Sequence, residues 1–136
     1  MTDIQAAISA AASGMRAQTV RMRIAAENVA NANSTGASPE EEPFRRRIPL
    51  LQTTTLASGA SGVRVNGATL DMRDFREEYN PSHPAANADG YVRLPNVDTL
   101  VEMMDLREAT RAYEANLNMI ESARTMTARA LDLLRR

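Results

Sequence analysis

The sequence predicts a mainly α fold. Two long terminal helices pair antiparallel as a coiled coil, and a small irregular region containing a β-hairpin joins them. Three observations carry this reading. Apolar residues recur at alternating steps of four and three through the first thirty positions, the same period returns after Pro95, and residues 36–96 hold all six prolines and five of the six glycines. The implied division is 1–35 helix, 36–96 loop-rich hairpin region and 97–136 helix, the two helices forming one helical domain.

The first helix follows from Ile4, Ile8, Ala11, Met15, Gln18, Met22, Ala25, Val29 and Ala32, a heptad stripe with one polar member. Thr2 or Asp3 is placed to cap its start, and Asn31 to Gly36 to end it, since Asn and Gly accept the left-handed conformation of a C-cap. In the middle, Ile48 to Leu51 form an apolar patch, while Val63 and Val65, and then Tyr91, Val92 and Leu94, read as short strands, with Asn66-Gly67 as a turn. The last helix starts at Asn96 or Asp98 and carries two seams. One runs through Leu106, Ala109, Tyr113, Ile120, Ala123, Ala130 and Leu134; the other runs through Ala112, Met119, Ala123, Met126, Ala130 and Leu133. Two seams imply more than one partner helix.

Composition narrows the function classes. Sixteen basic residues against 17 acidic ones, with a pI near 5.9, oppose nucleic-acid binding. The chain has no cysteine and one histidine, so thiolate and imidazole zinc sites are excluded; it has no lysine, so Schiff-base and P-loop chemistry are excluded too. No apolar run is long enough to span a bilayer, and Asp3 ahead of the alanine-rich start opposes a cleaved signal peptide. With 4% aromatic residues and abundant alanine, the isolated chain lacks material for a thick core.

The remaining chemical candidates read as surface. His83 lies in a proline-bracketed loop, expected in solvent. Asp71/Asp74 and Glu77/Glu78 resemble acid and base pairs, but their charged surroundings predict a solvated face that keeps their pKa values together. Arg45 to Arg47 follow Glu40 to Glu42, which predicts local pairing or subunit contact, not a nucleic-acid site. The methionines at 103, 104, 119 and 126 read as an adaptable packing surface.

Residues 25–33, AAENVANAN, resemble the N-terminal signature of the bacterial flagellar axial proteins, with Asn28, Ala30, Asn31 and Asn33 matching. Pro95, Asn96, Val97 and Asp98, then Glu102 and Met103, then Arg111 to Asn116 with Tyr113 between them, resemble the C-terminal signature. Tyr79-Asn-Pro81, Pro84 and Gly90-Tyr-Val92 make the match closest to proximal-rod members of the C type, not to distal rod or hook. Residues 40–47 and Leu50-Leu51 depart from the family pattern.

This resemblance implies a structural, non-enzymatic subunit of the flagellar basal-body rod with no cofactor and no catalytic residue. It implies self-association in a helical rod, neighbours among other rod subunits, the rotor ring and the export apparatus, and export without a cleavable signal. The packing residues are then expected to be Ile8, Met15, Met22, Val29, Tyr113, Ile120, Met126 and Leu133, with Asn28, Asn31, Asn96 and Asp98 satisfying backbone groups at helix ends. The rival reading is a soluble coiled-coil adaptor or secretion chaperone that closes as a dimer through the same heptads.

Overall fold

The computed structural model describes residues 2–136. Helix α1 spans Thr2–Ala30, followed by strands β1 (Arg47–Thr55), β2 (Ser61–Leu70), β3 (Arg76–Tyr79) and β4 (Tyr91–Leu94), and then by helix α2 (Thr99–Leu134). At 1.5 Å per residue α1 is about 44 Å long and α2 about 54 Å. The helices run antiparallel: Asn28 meets Glu102, Met22 meets Thr110, and Gly14 faces Asn116.

On α2 a line of covered positions runs through Glu102, Leu106, Ala109, Tyr113, Asn116, Ile120, Ala123 and Thr127, buried or half-buried at alternating steps of four and three, with Asp105 and Ala112 half-buried beside it. From Leu106 to Ala123 this is the first seam of the sequence, lying against α1, whereas its last members, Ala130 and Leu134, are exposed. The second seam is open at Met119, Met126, Ala130 and Leu133, whereas Ala112 is half-buried and Ala123, shared with the first seam, is buried. From Ala128 onward every residue of α2 is exposed.

Helix α1 is covered on two sides, because the β1–β2 hairpin lies along it opposite in direction to the chain. Asn28 holds the hairpin's root at Arg47, Ser13 accepts the N–H of Val63 at 3.1 Å midway, and Ser9 bonds Ser58 at 2.7 Å near the tip. The most buried residues of α1 therefore include Ser13, Ala17, Ile24 and Asn28, which face between hairpin and α2. Along the heptad stripe Ala11, Ala25 and Ala32 are buried, but Ile4, Ile8, Met15, Gln18, Met22 and Val29 are only half-buried. The core is thin as composition required: among the described residues, seven of the eleven buried apolar ones are alanine.

Two expectations for the turns are corrected. Asn66-Gly67 is no hairpin turn; it lies inside β2, where two residues oppose Leu50 between the pairs Pro49–Ala68 and Leu51–Val65, and Gly67 takes φ +74° in the resulting bulge. The reversal comes earlier, where Leu56 donates to the carbonyl of Ala60 and Gly59 takes φ +81°. Nor does α1 end on a left-handed cap, since no non-glycine described residue has positive φ and Gly36 does not either. Instead Asn31 donates both its backbone N–H and its side-chain Nδ2 to the carbonyl of Glu27. At the other end Thr2 and Asp3 already belong to α1, so its cap lies outside the described residues.

The middle region is two antiparallel hairpins in separate sheets, β1–β2 and β3–β4. Its long first strand occupies the Ile48 to Leu51 patch. The second hairpin stands at the end of the helix pair where α1 stops and α2 starts, with Arg76 donating to the carbonyls of Pro95 and Ala32.

Candidate assembly interface

At that end, a buried polar junction joins four elements. The Asn28 carboxamide donates to the carbonyl of Arg47 at 2.9 Å and accepts its N–H at 3.0 Å, so a helix side chain pairs with β1 as a neighbouring strand would. It also donates to Glu102 at 3.3 Å. Asn96 repeats the device just before α2: it accepts the N–H of Arg46 at 2.8 Å and donates to the carbonyls of Asp71 and Arg73. Asp98 caps α2, accepting from Leu100 at 3.0 Å. Asn31 and Asp98 thus serve helix ends as expected, whereas Asn28 and Asn96 hold strand and loop backbone instead.

Between these amides lies Arg46, whose guanidinium bonds Glu102 through Nε and reaches Asp71 at 3.4 Å and Asp105 at 3.5 Å. Burial works against its charge, but the hydrogen bonds it donates to Glu102 and Asp71, with the negative charge of both, outweigh it and raise its pKa. Asp71 was expected in solvent; it is buried, because β2 ends there against Arg46, and the side-chain hydrogen bond from Arg73 holds its pKa at about 2. No buried side-chain polar atom among the described residues lacks a partner. Every cation of the basic cluster is engaged locally: Arg45 reaches Glu42 at 3.9 Å and lies 4.1 Å above the Phe75 ring, and Arg47 reaches Glu27 at 3.9 Å.

The other singled-out residues divide between this junction and the surface. Pro95 and Val97 are buried beneath the junction, and Met103 is exposed. Arg111 and Asn33 are exposed, while Asn116 packs on Gly14. His83 is half-buried, its Nδ1 accepting the N–H of Ala85 at 3.0 Å, so the solvent-facing expectation is corrected. Glu77 and Glu78 are exposed as expected. Of the packing set, Ile8, Met15, Met22, Val29 and Tyr113 are half-buried, Ile120 is buried, and Met126 and Leu133 stand free. No metal-holding group of His, Cys, Asp and Glu occurs among the described residues, and no helix is long and apolar enough to cross a membrane.

The sequence reading missed the Arg46–Glu102 pair, although Glu102 lay in a quoted motif. The available signal was an acidic residue at a seam position of α2, four before Leu106.

The arrangement is mechanical: a helix pair clamped at one end by a buried ionic junction, with apolar surface left over along the other. Over 99% of its length the chain is 43% identical to the flagellar basal-body rod protein FlgC of Agrobacterium fabrum, covering 98% of that protein. The chain belongs to the FlgC family of flagellar basal-body rod proteins. It is also 38% identical to FlgC of Bacillus subtilis over 93% of this chain and 95% of that one, and 36% identical to FlgC of Aquifex aeolicus over 97% and 98%. A family model described as flagellar basal body rod FlgEFG protein C-terminal matches residues 88–133, which run from the turn before β4 through nearly all of α2. As an FlgC-family member it is a structural subunit of the rod in the flagellar basal body, and the junction joins its helix pair to the root of the first hairpin.

Proposed function

We propose that this rod subunit lies in the proximal rod, that its terminal helices wind about each other as a coiled coil, and that it assembles helically through them to carry torque from the rotor ring to the hook. Its neighbours are other rod subunits and the rotor ring, and it reaches them unfolded through the flagellar export apparatus. Its role is mechanical and not enzymatic. One observation carries the reading. The first seam of α2 is used within the chain as far as Ala123, while Met119, Met126 and Leu133 of the second, spaced by sevens along one face, are exposed. An apolar stripe of this length is unusual on a solitary domain and marks a surface completed by a partner. Methionine suits a subunit whose neighbours differ, because its unbranched chain repacks easily.

The test is Met126→Asp combined with Leu133→Asp in a strain lacking the native copy. Both side chains are exposed, so circular dichroism of the purified variant should match the unaltered chain. Swimming should be lost and the variant should be missing from isolated basal bodies. Normal swimming would refute the proposal.

A further inference from the structure

The Asn66-Gly67 step makes no turn, and its place in β2 leaves it a different chemistry. Of the nine asparagines in the chain, Asn66 is the one followed by glycine. It is exposed, and together with Gly67 it opposes the single residue Leu50. The ladder is therefore interrupted at this peptide, while the pairs Pro49–Ala68 and Leu51–Val65 hold on either side. Gly67 takes φ +74°, and no atom beyond its chain neighbours lies within 4 Å of the point where a Cβ would stand. Neither its own side chain nor a neighbour crowds that side of the peptide. Toward α1, Gly67 borders an open cavity of about 370 Å³ with Val65, Ala68, Val20 and Ile24, which admits water to the same segment.

Comparable steps elsewhere are closed. In Asp89-Gly90 the glycine N–H is bonded to the carbonyl of Asn87 at 3.0 Å, and a Cβ at Gly90 would stand 2.8 Å from the Tyr79 ring. The side chains of Asn28, Asn31, Asn80, Asn87 and Asn96 are held in hydrogen bonds. After Asn33, the N–H of Ser34 is bonded to the carbonyl of Asn31, and Asn116 and Asn118 lie inside α2, whose ladder engages the N–H that follows each.

We propose that Asn66 is a modification site, at which the folded chain deamidates itself to aspartate and isoaspartate. The Gly67 nitrogen attacks Cγ of Asn66. A bond from that nitrogen to Cγ forms as the Cγ–Nδ2 bond breaks, and the nitrogen's proton leaves with Nδ2 as ammonia, which closes a succinimide ring. Water, the single co-reactant, then opens the ring. Its addition at Cγ gives aspartate; addition at the main-chain carbonyl carbon gives isoaspartate, with the chain now routed through Cγ. Either product bears a new carboxylate, one unit more negative than the formal charge of −1. Isoaspartate also lengthens the main chain by an atom, at the point where β2 already holds a residue more than β1 opposes.

The test incubates the purified full-length chain, folded, at 37 °C. Trypsin cuts after Arg64 and Arg73, so residues 65–73 are released as one peptide. That peptide should separate into asparagine, aspartate and isoaspartate forms, the last two heavier by the exchange of an amino group for a hydroxyl. The isoaspartate form should accept a methyl group from an isoaspartyl methyltransferase. Conversion should run within about tenfold of its rate in guanidinium chloride, since a peptide already outside the ladder needs little opening. Asn66→Gln, an amide of the same kind on a longer exposed side chain, should stop it. A folded rate slower than that bound would show that the fold closes the site and would overturn the proposal. So would isoaspartate at residue 89 in place of 66, or a mass gain in the 65–73 peptide that survives Asn66→Gln.

Discussion

Asn28 and Arg47 are joined by two hydrogen bonds of 2.9 and 3.0 Å, from the carboxamide of one to the peptide of the other. A single helix side chain therefore does the work of a neighbouring strand at the point where β1 begins. Asn28→Ala should leave the N–H and carbonyl of Arg47 without those partners in a part-buried setting, at about 2 kcal/mol in stability. Asn28→Asp keeps the acceptor but loses the donor and sets a second carboxylate beside Glu102. It should therefore be at least as damaging. Urea unfolding followed by circular dichroism measures both, and a midpoint unchanged in either variant would show that the pairing contributes nothing.

Arg46 and Glu102 make a different kind of pair, because both charges are withdrawn from water: the Arg46 side chain is 14% exposed and that of Glu102 2%. Removing one partner strands the other, so Glu102→Met or Arg46→Met alone should destabilise by about 3–5 kcal/mol. The double change Arg46→Met/Glu102→Met strands neither member of the pair, although Asp71 and Asp105 lose a cation. Its loss should be smaller than that of either single variant. A double-mutant cycle by denaturant unfolding reads the coupling, and strictly additive losses would remove the pair from the account of stability.

The helices were legible because burial on one side imposes a period that composition cannot hide. The first α2 seam and the Asp98 cap follow from side-chain spacing and from backbone donors at a helix start. Burial across α1 was less legible. Its stripe of large residues runs along the flank, while Ser13, Ala17 and Asn28 take the centre, because the β1–β2 hairpin, distant in sequence, covers that face and needs small or hydrogen-bonding side chains there. Asp71 was misread for the same reason: its neighbours in sequence are charged, and only tertiary contact with Arg46 withdraws it from water. Asn66-Gly67 has the chemistry of a turn, but the positive φ it offers is spent on a bulge within the longer hairpin.

Asp71 links this junction to pH. Its pKa lies at about 2 in the folded chain, below its ordinary 3.8, chiefly through the side-chain hydrogen bond from Arg73 and against the cost of burial. The depressed value means that its contribution is fully present above about pH 4 and is lost as pH falls toward 2. Because Arg73 is itself solvent-exposed, water screens the pair and the contribution is small. Asp71→Asn should lower stability at pH 7 and flatten the decline below pH 4. Unfolding midpoints at pH 7, 4 and 2.5 measure it, and parallel curves for variant and unaltered chain would exclude Asp71 as the titrating group.

Gly62 tests whether the first hairpin is seated on α1 by close approach. A Cβ at this position would stand 2.7 Å from Oγ of Ser13 and 2.8 Å from two methyl carbons of Leu56, so it has no free volume. The same serine accepts the N–H of Val63, so moving away from the new methyl lengthens a hydrogen bond. Gly62→Ala should therefore destabilise, by about 1–3 kcal/mol typical of overpacking, despite the gain alanine brings by restricting the unfolded chain. Ser13→Gly on top of it opens room for the methyl, at the expense of that bond and of helix propensity. Leu56→Ala opens room at the other contact and costs neither. Gly62→Ala/Leu56→Ala should thus lose less than the sum of the two single changes, and a strictly additive result in thermal unfolding would show that the hairpin yields without strain.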